Sequence, residues 1–222
     1  YDGSGSMVLR RCNFRGEPRD IITLDGLPEE IAATFAPRTV LGLGNDLYVA
    51  DLAAMNVVVA DESGRVHRVH ALAKALDLDA AARRDNAIEE FSVGPDGSLL
   101  FTMPSIFRAF IVRPDGKVLG FGRKGSAAGL FNVIAGIAAD ERGNFFVSDI
   151  LRSAVMVLDP EFRFLGEFGY RGAAERNLIA PRAIAIGGGK LFVSQSAALG
   201  VSVFDVQFSS KRETSDVPKG DP

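Results

Sequence analysis

Cysteine is nearly missing from this sequence. Cys12 is the only one in 222 residues, so the chain can close no internal disulfide and carries no CxxC metal pair or CxxCH haem-attachment motif. Histidine is almost as scarce: His67 and His70 are the only two. Three apart on a strand, they would point to opposite faces, so no shared metal is expected of them. No run approaches the roughly 18 consecutive apolar residues of a membrane helix, and no membrane insertion is expected. Positive charge is not in excess either. The net charge is −3 and the pI about 5.5, without the basic footprint of a nucleic-acid binder. Gly187-Gly188-Gly189 lacks the GxxxxGK[ST] spacing of a phosphate loop and reads as a hairpin turn. The chain opens at Tyr1 with no signal-peptide pattern, which fits a mature secreted chain, an expression product or a fragment alike.

What is present is a repeat. Leu47-Tyr48-Val49-Ala50-Asp51 returns as Leu99-Leu100-Phe101-Thr102-Met103, as Phe145-Phe146-Val147-Ser148-Asp149 and as Leu191-Phe192-Val193-Ser194-Gln195. The intervals are 52, 46 and 46 residues, counted from positions 47, 99, 145 and 191. Each copy follows a turn such as Pro95-Asp96-Gly97 or Arg142-Gly143-Asn144 and sits between shorter apolar runs. Strand-like runs cut by glycine turns at a period in this range indicate a β-propeller.

The third unit reads most clearly as four antiparallel strands: Gly136–Ala139, Asn144–Ser148, Val155–Leu158 and Phe164–Phe168. The first and second units follow suit, while the fourth has three strands, ending at Val201–Phe204, with no clear outer one. Residues 71–82 are rich in helix formers and predict one short helix joining the first and second units. Met7–Arg10 and Ile21–Leu24 add two strands, for seventeen in all. That number leaves the ring open to three readings. The expectation is an all-β propeller of four-stranded antiparallel blades, five in number with one incomplete. Six blades with a missing upstream segment, or four with Ile21–Leu24 completing the last, are the alternatives. The propeller spans residues 1–208, and the polar, proline-punctuated stretch 209–222 reads as a flexible tail.

Residue detail extends the pattern. Phe121-Gly122-Arg123-Lys124-Gly125, Gly129-Leu130-Phe131, Gly136-Ile137-Ala138-Ala139-Asp140, Gly143 to Asp149, Val157-Leu158-Asp159 and Phe168-Gly169 together resemble an NHL repeat. Ala180-Pro181-Arg182 and Ala36-Pro37-Arg38 match its start, and Val49-Ala50-Asp51 with Asn56 its middle. The resemblance covers roughly residues 36–208 and departs in the second unit, where Met103 stands in place of Asp. It implies a propeller of a family whose members include protein-binding and RNA-binding modules, extracytoplasmic sensor domains and a metal-dependent lyase. Within that family the Asp after the second strand orders the next turn, and this role is expected of Asp51 and Asp149. The lyase branch holds zinc through several histidines, which this chain lacks. No catalytic residue, metal ligand or cofactor is expected.

Charge offers the one candidate surface. Loops after second strands and between blades carry Arg108, Arg123, Lys124, Arg152, Arg171, Arg176 and Arg182. The opposite hairpins carry Asp46, Asp61, Asp96, Asp115, Asp140, Asp159 and neighbouring glutamates. The later blades should be basic on one face and acidic on the other, with Asp77, Asp79, Asp85, Glu89 and Glu90 interrupting the basic side. Arg108 and Arg152 are expected to be exposed in equivalent turns. The reading is a non-enzymatic scaffold, extracytoplasmic or secreted. Arg108, Arg123, Lys124, Arg152, Arg171 and Arg176 would dock a protein with an acidic surface, or the chain would self-associate through open blade edges. The alternative is a propeller enzyme, a metal-dependent lyase or hydrolase, acting at the central channel.

Overall fold

The structure is a computed structural model that describes residues 8–172, 174–196 and 200–207. Met7 and the expected tail at 209–222 lie outside the described residues. Seventeen strands are present among those described, as the sequence pattern predicts. β1 (Val8–Cys12) and β2 (Pro18–Thr23) form a two-stranded sheet. A short helix, α1 (Glu29–Ala32), leads into the first blade, β3 (Thr39–Leu43), β4 (Asp46–Asp51), β5 (Asn56–Asp61) and β6 (Val66–Ala71). After α2 (Leu72–Ala75) and α3 (Ala80–Asp85) comes the second blade, β7 (Phe91–Val93), β8 (Leu99–Met103), β9 (Arg108–Val112) and β10 (Val118–Phe121). The third is β11 (Ile134–Ala139), β12 (Phe145–Asp149), β13 (Ala154–Leu158) and β14 (Phe164–Gly169). The fourth has three strands, β15 (Pro181–Gly187), β16 (Lys190–Gln195) and β17 (Val201–Asp205). All pairings within the blades are antiparallel between consecutive strands. β2 pairs with β1 and not with β17, so it does not complete the fourth blade.

The joining segment is not one helix. Asp77 adopts φ 54, α2 ends, and Asp79 caps a second helix by accepting from the Ala82 N–H at 2.7 Å. An N-cap oxygen is satisfied only at a helix start, so the Asp77-Leu78-Asp79 step divides a run whose composition alone favours continuity.

Strand side chains alternate between two faces, and each blade face but the outer face of the fourth meets a neighbour among the described residues. The apolar core is therefore divided into layers. One lies between β1–β2 with α1 and the first blade, around Ile31, Phe35, Val49 and Val58. One lies between the first and second blades, around Tyr48, Val57, Leu99 and Phe101. The layer between second and third holds Phe121 stacked on Phe162 with centroids 4.6 Å apart, and Phe145 5.8 Å from Phe121. The last, between third and fourth, packs Phe146 and Val155 against Leu191 and Val193. Aromatic pairs of this kind add about 0.5–1.5 kcal/mol each beyond area burial.

Hydroxyls join the layers near the axis. Thr102 Oγ1 on β8 donates to Ala135 O at 2.5 Å, and Ser148 Oγ on β12 donates to Arg182 O at 2.6 Å. Both acceptors are the second residue of the next inner strand. Gly136 makes this approach possible: an added Cβ would strike Arg182 O and come within 2.8 Å of Ile184 N. At Gly122 the backbone has φ 96 and a Cβ would enter the Phe131 ring, which is why the chain can leave the second blade only there as glycine.

Candidate partner-binding surface

The last residue of the second strand has a common task in three of the four blades. Asp149 accepts N–H bonds from Asn132 (2.6 Å), Val133 (3.2 Å) and Arg152 (3.0 Å). Asp51 accepts from Ala36 at 2.8 Å and Ala54 at 2.9 Å. Both carboxylates thus tie the loop entering their own inner strand to the turn leaving their second strand. Gln195 does half of this, accepting from the Ile179 N–H at 2.6 Å and donating to Ser202 Oγ at 2.8 Å. Met103 cannot accept such bonds, and there a 3-10 turn at Pro104–Ile106 takes over.

The inner strands enclose a channel of about 760 Å³ walled largely by small and aliphatic residues such as Leu41, Ala138 and Ile184. Across the structure, Arg182 Nη1 bonds Glu89 Oε1 at 2.6 Å, reaching from the fourth blade to the second. Glu90 also lines the channel. Burial, with repulsion from Glu89, holds its carboxyl above the usual carboxylate range, against the pull of Arg182. His67 and His70 lie on β6, away from this channel, and His67 Nε2 meets Asp46 Oδ1 at 3.0 Å. Among the described residues no three His, Cys, Asp or Glu side chains are grouped to hold a metal ion.

The six cations named from sequence separate into different environments. Arg152 is not an exposed docking charge. Its side chain is 12% exposed and bonds both oxygens of Glu167 at 2.7 Å, and it donates to Ser126 O at 2.8 Å. The charge is neutralised, and the fork clamps β14 to the loop between second and third blades. Nor is it equivalent to Arg108. Arg108 opens β9 opposite Met103, whereas the residue opposite Asp149 is Ala154. Arg108 is exposed, donates to Gly120 O at 2.9 Å and lies 5.4 Å over the Phe110 ring. Lys124 sits 5.1 Å over Phe107. Arg123, Arg171 and Arg176 are exposed, and no ion pair or side-chain hydrogen bond is found for them among the described residues.

Sequence reasoning missed a groove of about 590 Å³ where the fourth blade lacks an outer strand. Phe146, Val157, Phe168 and Phe204 form its apolar part, with Phe168 and Phe204 edge to face at 4.9 Å. Arg176 and Asn177 border it. Glu167 and Asp205 also line it, but Arg152 and Lys190 pair with them at 2.7 and 2.6 Å. Among the described residues that line the groove, Arg176 is the charged one for which no ion pair is found. One side of the groove is β17, whose outer edge pairs with no strand among the described residues. The absent outer strand in the sequence pattern was the signal that could have located it.

Comparison with solved structures agrees with the propeller. Virginiamycin B lyase from Staphylococcus aureus superposes with a TM-score of 0.52 at 14% identity, covering 91% of this chain and 64% of that one. A streptogramin B lyase matches with a TM-score of 0.53 at 11% identity, over 90% and 62% of the two chains. Glutaminyl cyclase from Myxococcus xanthus gives 0.50 at 9% identity, over 76% and 65%. The chain thus spans less than two thirds of these structures, and at such identity the likeness shows the fold alone. No family model matches the sequence, and no curated protein does.

Proposed function

We propose that this protein is a propeller scaffold of NHL type, acting outside the cytoplasm, and that it binds an extended acidic segment of a partner protein. The observation that carries the reading is the groove beside the free edge of β17. An extended segment can add to that edge through main-chain hydrogen bonds and complete the fourth blade, with alternate side chains entering the groove. Between the second and third blades, Phe164 of the outer strand β14 packs against the apolar layer that also holds Leu119, as a side chain of an added outer strand would do here. Charge selects the partner's sign. Arg176 and Arg171 lie in the loop between β14 and β15, and Arg123 and Lys124 in the preceding blade-to-blade loop. Arg152 is not part of this surface, because Glu167 consumes its charge.

A synthetic peptide alternating apolar and acidic side chains tests the reading. Binding should slow hydrogen exchange at Val201–Asp205 and weaken as salt rises, since exposed charges are screened over about 8 Å at physiological ionic strength. Arg171→Glu with Arg176→Glu should lower the association rate more than it raises the dissociation rate. Binding that leaves β17 unprotected, or rates that ignore the double variant, would refute it. The competing reading, an enzyme at the channel, draws on Glu90 with its raised pKa. Stoichiometric zinc or calcium in the purified protein would favour that one.

A further inference from the structure

The third and fourth blades present the same five residues toward the next position in the ring. On the third, Ala138 pairs with Phe146, Phe146 with Val157 and Ser148 with Val155. On the fourth, Ala185 pairs with Phe192, Phe192 with Val203 and Ser194 with Val201. The two sets match residue for residue and register for register: Ala, Phe, Ser, Val, Val. Yet one is largely covered and the other is not. Phe146 and Val155 are 2% and 0% exposed beneath the fourth blade and Val157, at the groove, is half-buried, whereas Phe192, Val201 and Val203 are 39%, 58% and 51% exposed.

The hydroxyl is the more specific half of the match. Ser148 donates to the carbonyl of the second residue of the following inner strand, as Thr102 does one blade earlier. Ser194 holds the same position, and no side-chain hydrogen bond is found for it among the described residues. A three-residue apolar patch alone would be ordinary surface. A patch that repeats a buried inter-blade face of the same molecule, donor included, continues an established interface.

We propose that the open face of the fourth blade docks a further propeller blade of this same repeat type. Its aliphatic residues would cover Phe192, Val201 and Val203 as Ile184, Leu191 and Val193 cover the third blade, and an inner-strand carbonyl would accept from Ser194. The first sheet of a second copy is a poorer occupant. Among the described residues it consists of β1 and β2, offers no inner strand, and carries the exposed Arg10 and Arg11. This surface is the face of the blade, to which β17 contributes Val201 and Val203, and not the hydrogen-bonding edge of β17, so the proposal stands apart from the peptide-binding reading.

The repeat itself supplies the test. Asp205 occupies the position of Asp159, one repeat of 46 residues later, so a copy of residues 160–205 appended after Asp205 continues the chain in phase. A control carries residues 160–169 only, which supplies an outer strand to the fourth blade but no new blade. The full repeat should melt higher than the control, by on the order of 5 °C. Phe192→Glu should remove that difference, and Ser194→Ala should reduce it. Both side chains lie outside the buried core of the unextended chain, so its own melting should move little with either change. Equal melting of the two extended proteins, or a difference indifferent to Phe192→Glu, would overturn the proposal. So would concentration-dependent dimerisation of the unextended chain that Phe192→Glu abolishes, which would assign the face to a second copy.

Discussion

Truncating Arg152 to alanine would leave the Glu167 carboxylate almost buried, with one weak Tyr170 hydroxyl bond at 3.2 Å in place of two charged ones. Breaking a buried pair from one side costs about 3–5 kcal/mol. Arg152→Ala should lower the denaturant midpoint accordingly, and Arg171→Ala should leave it within about 0.5 kcal/mol of the parent. A parent-like midpoint for Arg152→Ala would return its charge to the surface. Glu90 gives a pH signature of opposite kind to a salt-bridged acid. Its folded pKa is raised, by burial first and by Glu89 second. Its neutral form is therefore the one the fold tolerates. Stability associated with it is full below the ordinary carboxylate range and is lost as pH rises through the raised value. Glu90→Gln should be more stable than the parent at neutral pH and indistinguishable in acid, as judged by urea melts at two pH values. Neither residue's role was legible in sequence. Arg152 and Glu167 are 15 apart in the chain and meet only because β14 returns beside β13.

Elements were far more legible than contacts. Each predicted strand of the third unit lies within a residue or two of the one found, because short continuous apolar runs bounded by Asp- and Gly-bearing turns mark strands buried on both faces. The Asp after the second strand was also readable, since a carboxylate there has backbone N–H groups within reach on both sides. What escaped were departures from local preference. In the first three blades the turn before the third strand closes in the left-handed region at Met55, Phe107 and Ser153, none of them glycine, so nothing in the sequence marks it. The helical insert breaks at Asp77 with neither proline nor glycine to mark the break, and Asp79 caps the second helix by accepting from the Ala82 N–H, a bond that composition does not record. The groove beside β17 was foreshadowed only as a missing outer strand.

Across the whole molecule, position in the ring outweighs residue type. Phe146 and Phe192 are the same amino acid at the same place in consecutive blades. Phe146→Ala should cost about 3–5 kcal/mol, since it empties a packed layer. Phe192→Ala should cost less than about 1 kcal/mol, since its ring stands partly in water. Comparable losses for the two would mean that the fourth blade's outer face is covered in solution. The sequence by itself determined the all-β propeller, its four repeating units and the turns that punctuate them, because those follow from periodicity and turn chemistry within some fifty residues of chain. Tertiary structure alone decided which faces are buried, which of six basic residues are exposed and which is locked in an ion pair, and where an edge is open among the described residues. Such properties depend on what lies beside a strand in space, and similar repeats carry no record of what covers their outer face.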